Sequence, residues 1–168
     1  MKTKTYNVYS FDELDEKTKQ KAIKNLAEIC VDHDWWDATY DDAHNVGLSI
    51  DGFDIYHKTI EMSFDSCSWD YVADKITENH GETCGTYKTA QRYIKEYGKW
   101  FEENKHNEDI DNMIDDKNEE LNREFLRKIG EDYLSLLTRE YDYLTSDEAI
   151  IETIKANGYE FTEDGKID

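Results

Sequence analysis

His33, Asp37, Asp41 and His44 stand at offsets of zero, four, eight and eleven, so on one continuous helix two imidazoles and two carboxylates would share a face. Such a set can bind zinc, manganese or iron. Asp34, however, has the chemistry of a helix cap, which would leave His33 outside regular geometry. A polar face opposite Trp36 and Tyr40 is also what any surface helix presents. The surface helix is the favoured reading, with a metal-dependent hydrolase on this face as a rival. His80 and Cys84, with Cys67 upstream, offer three zinc-type ligands, but Gly81 and an expected helix break separate them and no paired short-spacing motif supports the site. Asp54 and Glu61 fall on neighbouring strand segments, like the carboxylates of a metal-dependent nuclease. The lysine expected beside them is missing from Glu61-Met62-Ser63. No phosphate-binding glycine loop, Gly-x-Ser-x-Gly elbow, His-Glu-x-x-His helix or EF-hand loop occurs. The expectation is a non-enzymatic protein with no catalytic residues, no metal and no cofactor.

What the chain does offer in quantity is negative charge. Its 168 residues hold 40 acidic and 20 basic side chains. Repulsion on that scale opposes a compact state, so the excess points to a partner. The imbalance is also localised: residues 31–80 carry −10 and residues 107–168 carry −12, while 1–30 and 81–106 carry +1 each. On a helix running from Asp109, the acids Asp111, Asp115, Asp116, Glu119, Glu120 and Glu124 recur so that carboxylates lie roughly 5 to 7 Å apart along a rigid rod. A protein groove built to hold a nucleic-acid backbone does not readily tell such a row from phosphates. Asp37, Asp41 and Asp42 are expected to add a second row. The competing reading is an acidic surface kept for solubility. Twelve Tyr, six Phe and four Trp tilt the balance toward a protein interface, with Trp35, Trp69 and Trp100 as candidate anchors.

The same aromatics imply folding, because a disordered acidic tail lacks them. The length suits one domain, 1–168, and no Pro- or Gly/Ser-rich linker divides it. The longest unbroken apolar runs are three residues, so no segment resembles a membrane span. The N-terminus lacks the hydrophobic region of a secretory signal and the three cysteines follow no pairing pattern, which together point to a cytoplasmic protein.

The elements that position these groups follow from periodicity. Strands are predicted near 6–9, 48–56, 59–65 and 159–167, forming a small antiparallel sheet, with a bulge at Gly52 and a turn at His57-Lys58. Helices are predicted from Asp15 or Ser10 through Cys30, burying Ala22, Ile23, Leu26, Ala27 and Cys30; from Asp34 to a left-handed cap at Gly47; and from Ser68 to His80. A further helix has an apolar seam of Tyr87, Ala90, Ile94, Tyr97 and Phe101. A long one reaches Tyr143 or Leu144 through Leu121, Phe125, Ile129, Leu136 and Leu137, with a bend or close contact at Gly130. The last is capped by Ser146 and ended by Asn157-Gly158. The fold class is α+β, predominantly helical.

Tyr6-Asn7-Val8-Tyr9-Ser10-Phe11-Asp12-Glu13-Leu14 with Lys21-Ala22-Ile23, the pair Trp35-Trp36, the segment Gly52-Phe53-Asp54-Ile55, and the close from Leu144-Thr145-Ser146-Asp147-Glu148 to Tyr159-Glu160-Phe161-Thr162-Glu163-Asp164-Gly165 carry a resemblance over most of the chain. It resembles a group of small acidic proteins from bacteriophages and mobile elements of Firmicutes, some of which are type II-A anti-CRISPR proteins that inhibit Cas9. The resemblance implies binding to Cas9 with its guide RNA and interference with target-DNA binding or cleavage in a bacterial host, with no catalytic residues to carry over. The rivals are inhibition of another nucleic-acid-binding defence enzyme, such as a restriction enzyme, the hydrolase, and a phage structural protein. Neither membrane association nor direct DNA binding is expected. The oligomeric state is left open.

Overall fold

The computed structural model describes residues 7–168. They form an α+β fold dominated by six α-helices. Among the described residues no helix is long and apolar enough to cross a membrane. The described residues pack as two compact units, residues 7–35 with 139–168, and residues 36–138.

In the first unit, β1 (Tyr9–Ser10) pairs antiparallel with β4 (Glu160–Phe161), setting Tyr9 opposite Phe161. The C-terminal hairpin therefore joins the N-terminal strand, as its pattern predicts, although it narrows to two paired residues plus a bridge from Phe161 to Ile167. Tyr6, the predicted start of β1, lies outside the described residues. Ser10 and Glu13 close a capping box on a short 3₁₀ turn, and Asp15 then caps α1 (Glu16–Asn25) by accepting from the Thr18 N–H at 2.7 Å. That helix is shorter than predicted. Leu26 to Cys30 leave it as irregular turns, and Ala27 is exposed rather than buried. The hydroxyl of Ser146 caps α6 (Asp147–Asn157), and Gly158 ends it in the left-handed region. Phe11, Leu14, Ala22, Ile23, Ile150, Ile154 and Phe161 form this unit's core.

The second unit begins with α2 (Asp37–Asn45), whose N-cap is Trp36 rather than Asp34. The hairpin β2 (Leu48–Asp54) and β3 (Thr59–Phe64) follows, so the small sheet expected is present as two separate antiparallel pairs. The register slips between Ile50 and Gly52, which is the predicted bulge. Asp54 holds the hairpin turn, accepting from the His57 N–H at 2.8 Å and lying 2.6 Å from His57 Nδ1. These bonds hold the Asp54 carboxyl below its ordinary value, chiefly through the His57 N–H, and lift His57 above its own. A turn clamp explains Asp54, not nuclease chemistry.

Around the hairpin pack α3 (Trp69–Asn79), α4 (Gly85–Asn104) and α5 (Ile110–Leu144). The predicted α4 seam is met in part: Ala90 is buried and Ile94 and Tyr97 pack against the core, while Thr86 and Tyr93 are buried beside them and Phe101 is exposed. Trp69 is core, not a surface anchor. Only 2% exposed, it packs edge-on against Tyr97, and its indole and backbone N–H groups donate to Asn118 and Asn122 of α5. The helix α5 has 35 residues, a rod about 50 Å long. It buries Leu121, Phe125, Ile129, Tyr133 and Leu137, while Leu136, expected in the core, is exposed. Gly130 is a close contact, since a Cβ there would stand 3.1 Å from Ile60 Cγ2.

Candidate functional site

The acids of α5 divide into two rows once the buried face is known. Leu121, Phe125 and Ile129 point inward, and the 100° advance per residue then puts Asp116 and Glu120 on the opposite side of the rod, with Glu124 continuing their row toward its flank. Asp111, Asp115 and Glu119 form a flanking row, also at four-residue intervals. Within each row successive carboxylates rise roughly 6 Å. All six are exposed. Residues 109–124 hold seven carboxylates and two cations, a net −5. Asp111, Asp115, Asp116 and Glu124 have no ion pair among the described residues. Glu119 meets Arg123 at 2.8 Å and Glu120 meets Lys117 at 2.9 Å. Such exposed pairs contribute typically under about 1 kcal/mol and give way easily to a partner's cation.

What fixes the rod is the packing of its other face. Trp69 holds the stretch around Asn118 and Asn122, and Phe125 meets Tyr93 and Trp69 ring to ring at 5.3 and 6.1 Å. A row of charges on an isolated helix would fray and spread. Anchored through two asparagines and an aromatic cluster, this one keeps its spacing.

The second predicted row, Asp37, Asp41 and Asp42, is only partly an acidic surface. Asp37 and Asp41 are exposed one turn apart on α2. Asp42 turns inward. Its Oδ2 accepts from the buried Tyr133 hydroxyl at 2.9 Å, and its Oδ1 lies 3.5 Å from Nε2 of His80. Burial, then the Asp42 charge, pushes the Tyr133 hydroxyl far above its ordinary value. The His80 ring is 8% exposed, and its Nδ1 lies 2.8 Å from the buried Thr86 hydroxyl. Nε2 is buried and makes no hydrogen bond among the described residues, so its approach to Asp42 is a close contact rather than a bond. The Asp42–Tyr133 bond thus ties α2 to α5, and the His80–Thr86 bond ties the end of α3 to α4. Thr86 is itself buried, at 2% exposure. Sequence reasoning missed these bonds, and 91 positions separate Asp42 from Tyr133. That contact also places α2 against α5 about 20 Å along the axis from Glu120, so the two acidic sets are separate patches.

The metal-type sets do not assemble. Among the described residues no three His, Cys, Asp or Glu side chains converge as metal ligands. His44 Nδ1 instead lies 2.9 Å from Asp65, and the Cys67 thiol donates to the Gly47 carbonyl at 3.1 Å. The surplus aromatics are divided between core and surface. Trp100 is half-buried and stacked on Tyr97, while Tyr56, Tyr71 and Phe101 are exposed.

No protein-family model, curated protein or solved structure matches the chain.

Proposed function

We propose that the protein is a non-enzymatic inhibitor of a nucleic-acid-binding host-defence nuclease, with guide-loaded Cas9 as the leading target in the bacterial cytoplasm, and that it acts by presenting the α5 carboxylates where a DNA backbone would lie. The observation that carries this reading is the pair of rows on one braced helix, with four of six carboxylates lacking an ion pair among the described residues. Cas9 reaches duplex DNA through positively charged surfaces and reads the short adjacent motif with arginines, so carboxylates held against those groups exclude the duplex. Solubility alone would be served by mixed signs spread over the surface. Here the negative groups are concentrated.

The test is competition for purified guide-loaded Cas9 between the protein and a labelled target duplex. Displacement that weakens as ionic strength rises above the physiological level, where screening acts within about 8 Å, is the expected result. No displacement at any salt concentration removes Cas9 as the target. The same assay with a restriction enzyme then decides whether the electrostatic reading survives with a different enzyme.

A further inference from the structure

In a chain with a net charge of −20, one groove is rimmed by cations. It lies between the hairpin and the middle of α5 and encloses about 430 Å³, within the usual range for a site that takes one or two side chains of a ligand. Ile60, Met62, Leu126 and Leu134 line it. Gly130 belongs to the same surface and keeps it deep, since any side chain there would press on Ile60.

Lys58, Arg123 and Arg127 stand around this apolar floor. Lys58 occupies the hairpin turn with φ +54° and has no ion pair among the described residues. Arg127 and Lys128 share a single carboxylate, Glu131, each at 2.6 Å. Arg123 pairs only with Glu119, and both side chains are more than two-thirds exposed. Among the residues that line the groove three cations, Lys58, Arg123 and Arg127, face one carboxylate, Glu131, a local surplus of two positive charges against the sign of the whole molecule. Two guanidinium groups one helical turn apart suit carboxylates, which they bind in bidentate fashion.

We infer that this groove docks an extended segment of a partner protein in which aliphatic side chains are flanked by Asp or Glu. The aliphatic side chains fill the floor and the flanking carboxylates replace Glu119 and Glu131 on the arginines. A nucleic acid would also bring negative charge, but single strands are held by aromatic stacking, and no aromatic ring lines this groove. The inference shares Glu119 with the acidic rows through its pair with Arg123 but does not depend on their target.

The experiment is a titration of the isotopically labelled full-length protein followed by methyl and amide resonances. The probes are a short peptide pool with central Leu, Ile or Met between acidic residues, the same pool with lysine in place of the acids, the same pool with serine in place of the aliphatics, and a single-stranded RNA oligonucleotide. Expected are saturable shifts at Ile60, Met62, Leu126 and Leu134 with the acidic aliphatic pool, and at least roughly tenfold weaker binding by the lysine and serine pools. Arg123→Glu with Arg127→Glu, or Lys58→Glu in a second variant, should weaken the acidic pool by about tenfold with thermal melting unchanged. Absence of shifts up to about 1 mM peptide, equal binding of the lysine pool, or RNA displacing the acidic pool from the floor methyls would overturn the inference.

Discussion

Within a few turns α5 presents two surfaces of opposite sign. From Asp111 to Glu124 its outer face is two rows of carboxylates, while from Arg123 to Leu134 a neighbouring face carries cations around an apolar floor. The difference teaches that this protein's charge is sorted rather than spread. An acidic coat kept for solubility would mix signs and leave no need for bracing. Here Trp69, Asn118 and Asn122 hold the acidic stretch, and Gly130 lets the hairpin sit close against the basic one.

The contrast breaks most severely if its common support goes. Trp69→Ala removes the largest buried side chain and its indole bond to Asn118, leaving the backbone bond to Asn122, and should cost about 3 to 5 kcal/mol in urea unfolding. Gly130→Leu drives a side chain into Ile60 and should cost about 1 to 3 kcal/mol while closing the groove. Gly130→Ala should come out nearly neutral in the same measurement, because about 1 kcal/mol of helix propensity offsets the tight contact.

Tyr133→Phe should cost about 1 to 2 kcal/mol, since Asp42 is half-exposed and water takes back its oxygen. The pH dependence has a definite sign. The native hydroxyl titrates above its unfolded value, so its stabilisation is complete below about pH 10 and is lost as pH rises from there toward the native value. Alkaline unfolding curves of Tyr133→Phe should lack that step. A small effect is also expected for Arg123→Ala, under about 1 kcal/mol, because its pair with Glu119 is exposed. A larger loss would mean that Arg123 supports the fold rather than the groove rim.

Much of the fold was legible in the sequence where a pattern was long or a cap was chemical. The periodicity of α5, the Ser146 cap, the left-handed Gly47 and Gly158, and the bulge in β2 all follow from local rules. The misplacements arose where a distant partner chooses the face. Tyr133 rather than Leu136 enters the core because Asp42 receives its hydroxyl, and Tyr93 joins the α4 seam because Phe125 offers it a ring edge. The acidic rows were readable as composition and spacing, but which carboxylates have no ion pair among the described residues depended on Lys117 and Arg123 finding Glu120 and Glu119. Asp42 looked like one more surface acid until α5 was packed against α2. The groove was invisible because four of its ten lining residues come from a hairpin some sixty or more residues away in sequence.

The most direct measurement compares wild type with a variant carrying Asp111→Asn, Asp115→Asn, Asp116→Asn, Glu119→Gln, Glu120→Gln and Glu124→Gln in displacing a target duplex from guide-loaded Cas9. Helix content and melting temperature serve as controls. The account predicts at least about a hundredfold weaker displacement and a flatter salt dependence. Undiminished displacement by the folded variant would contradict it.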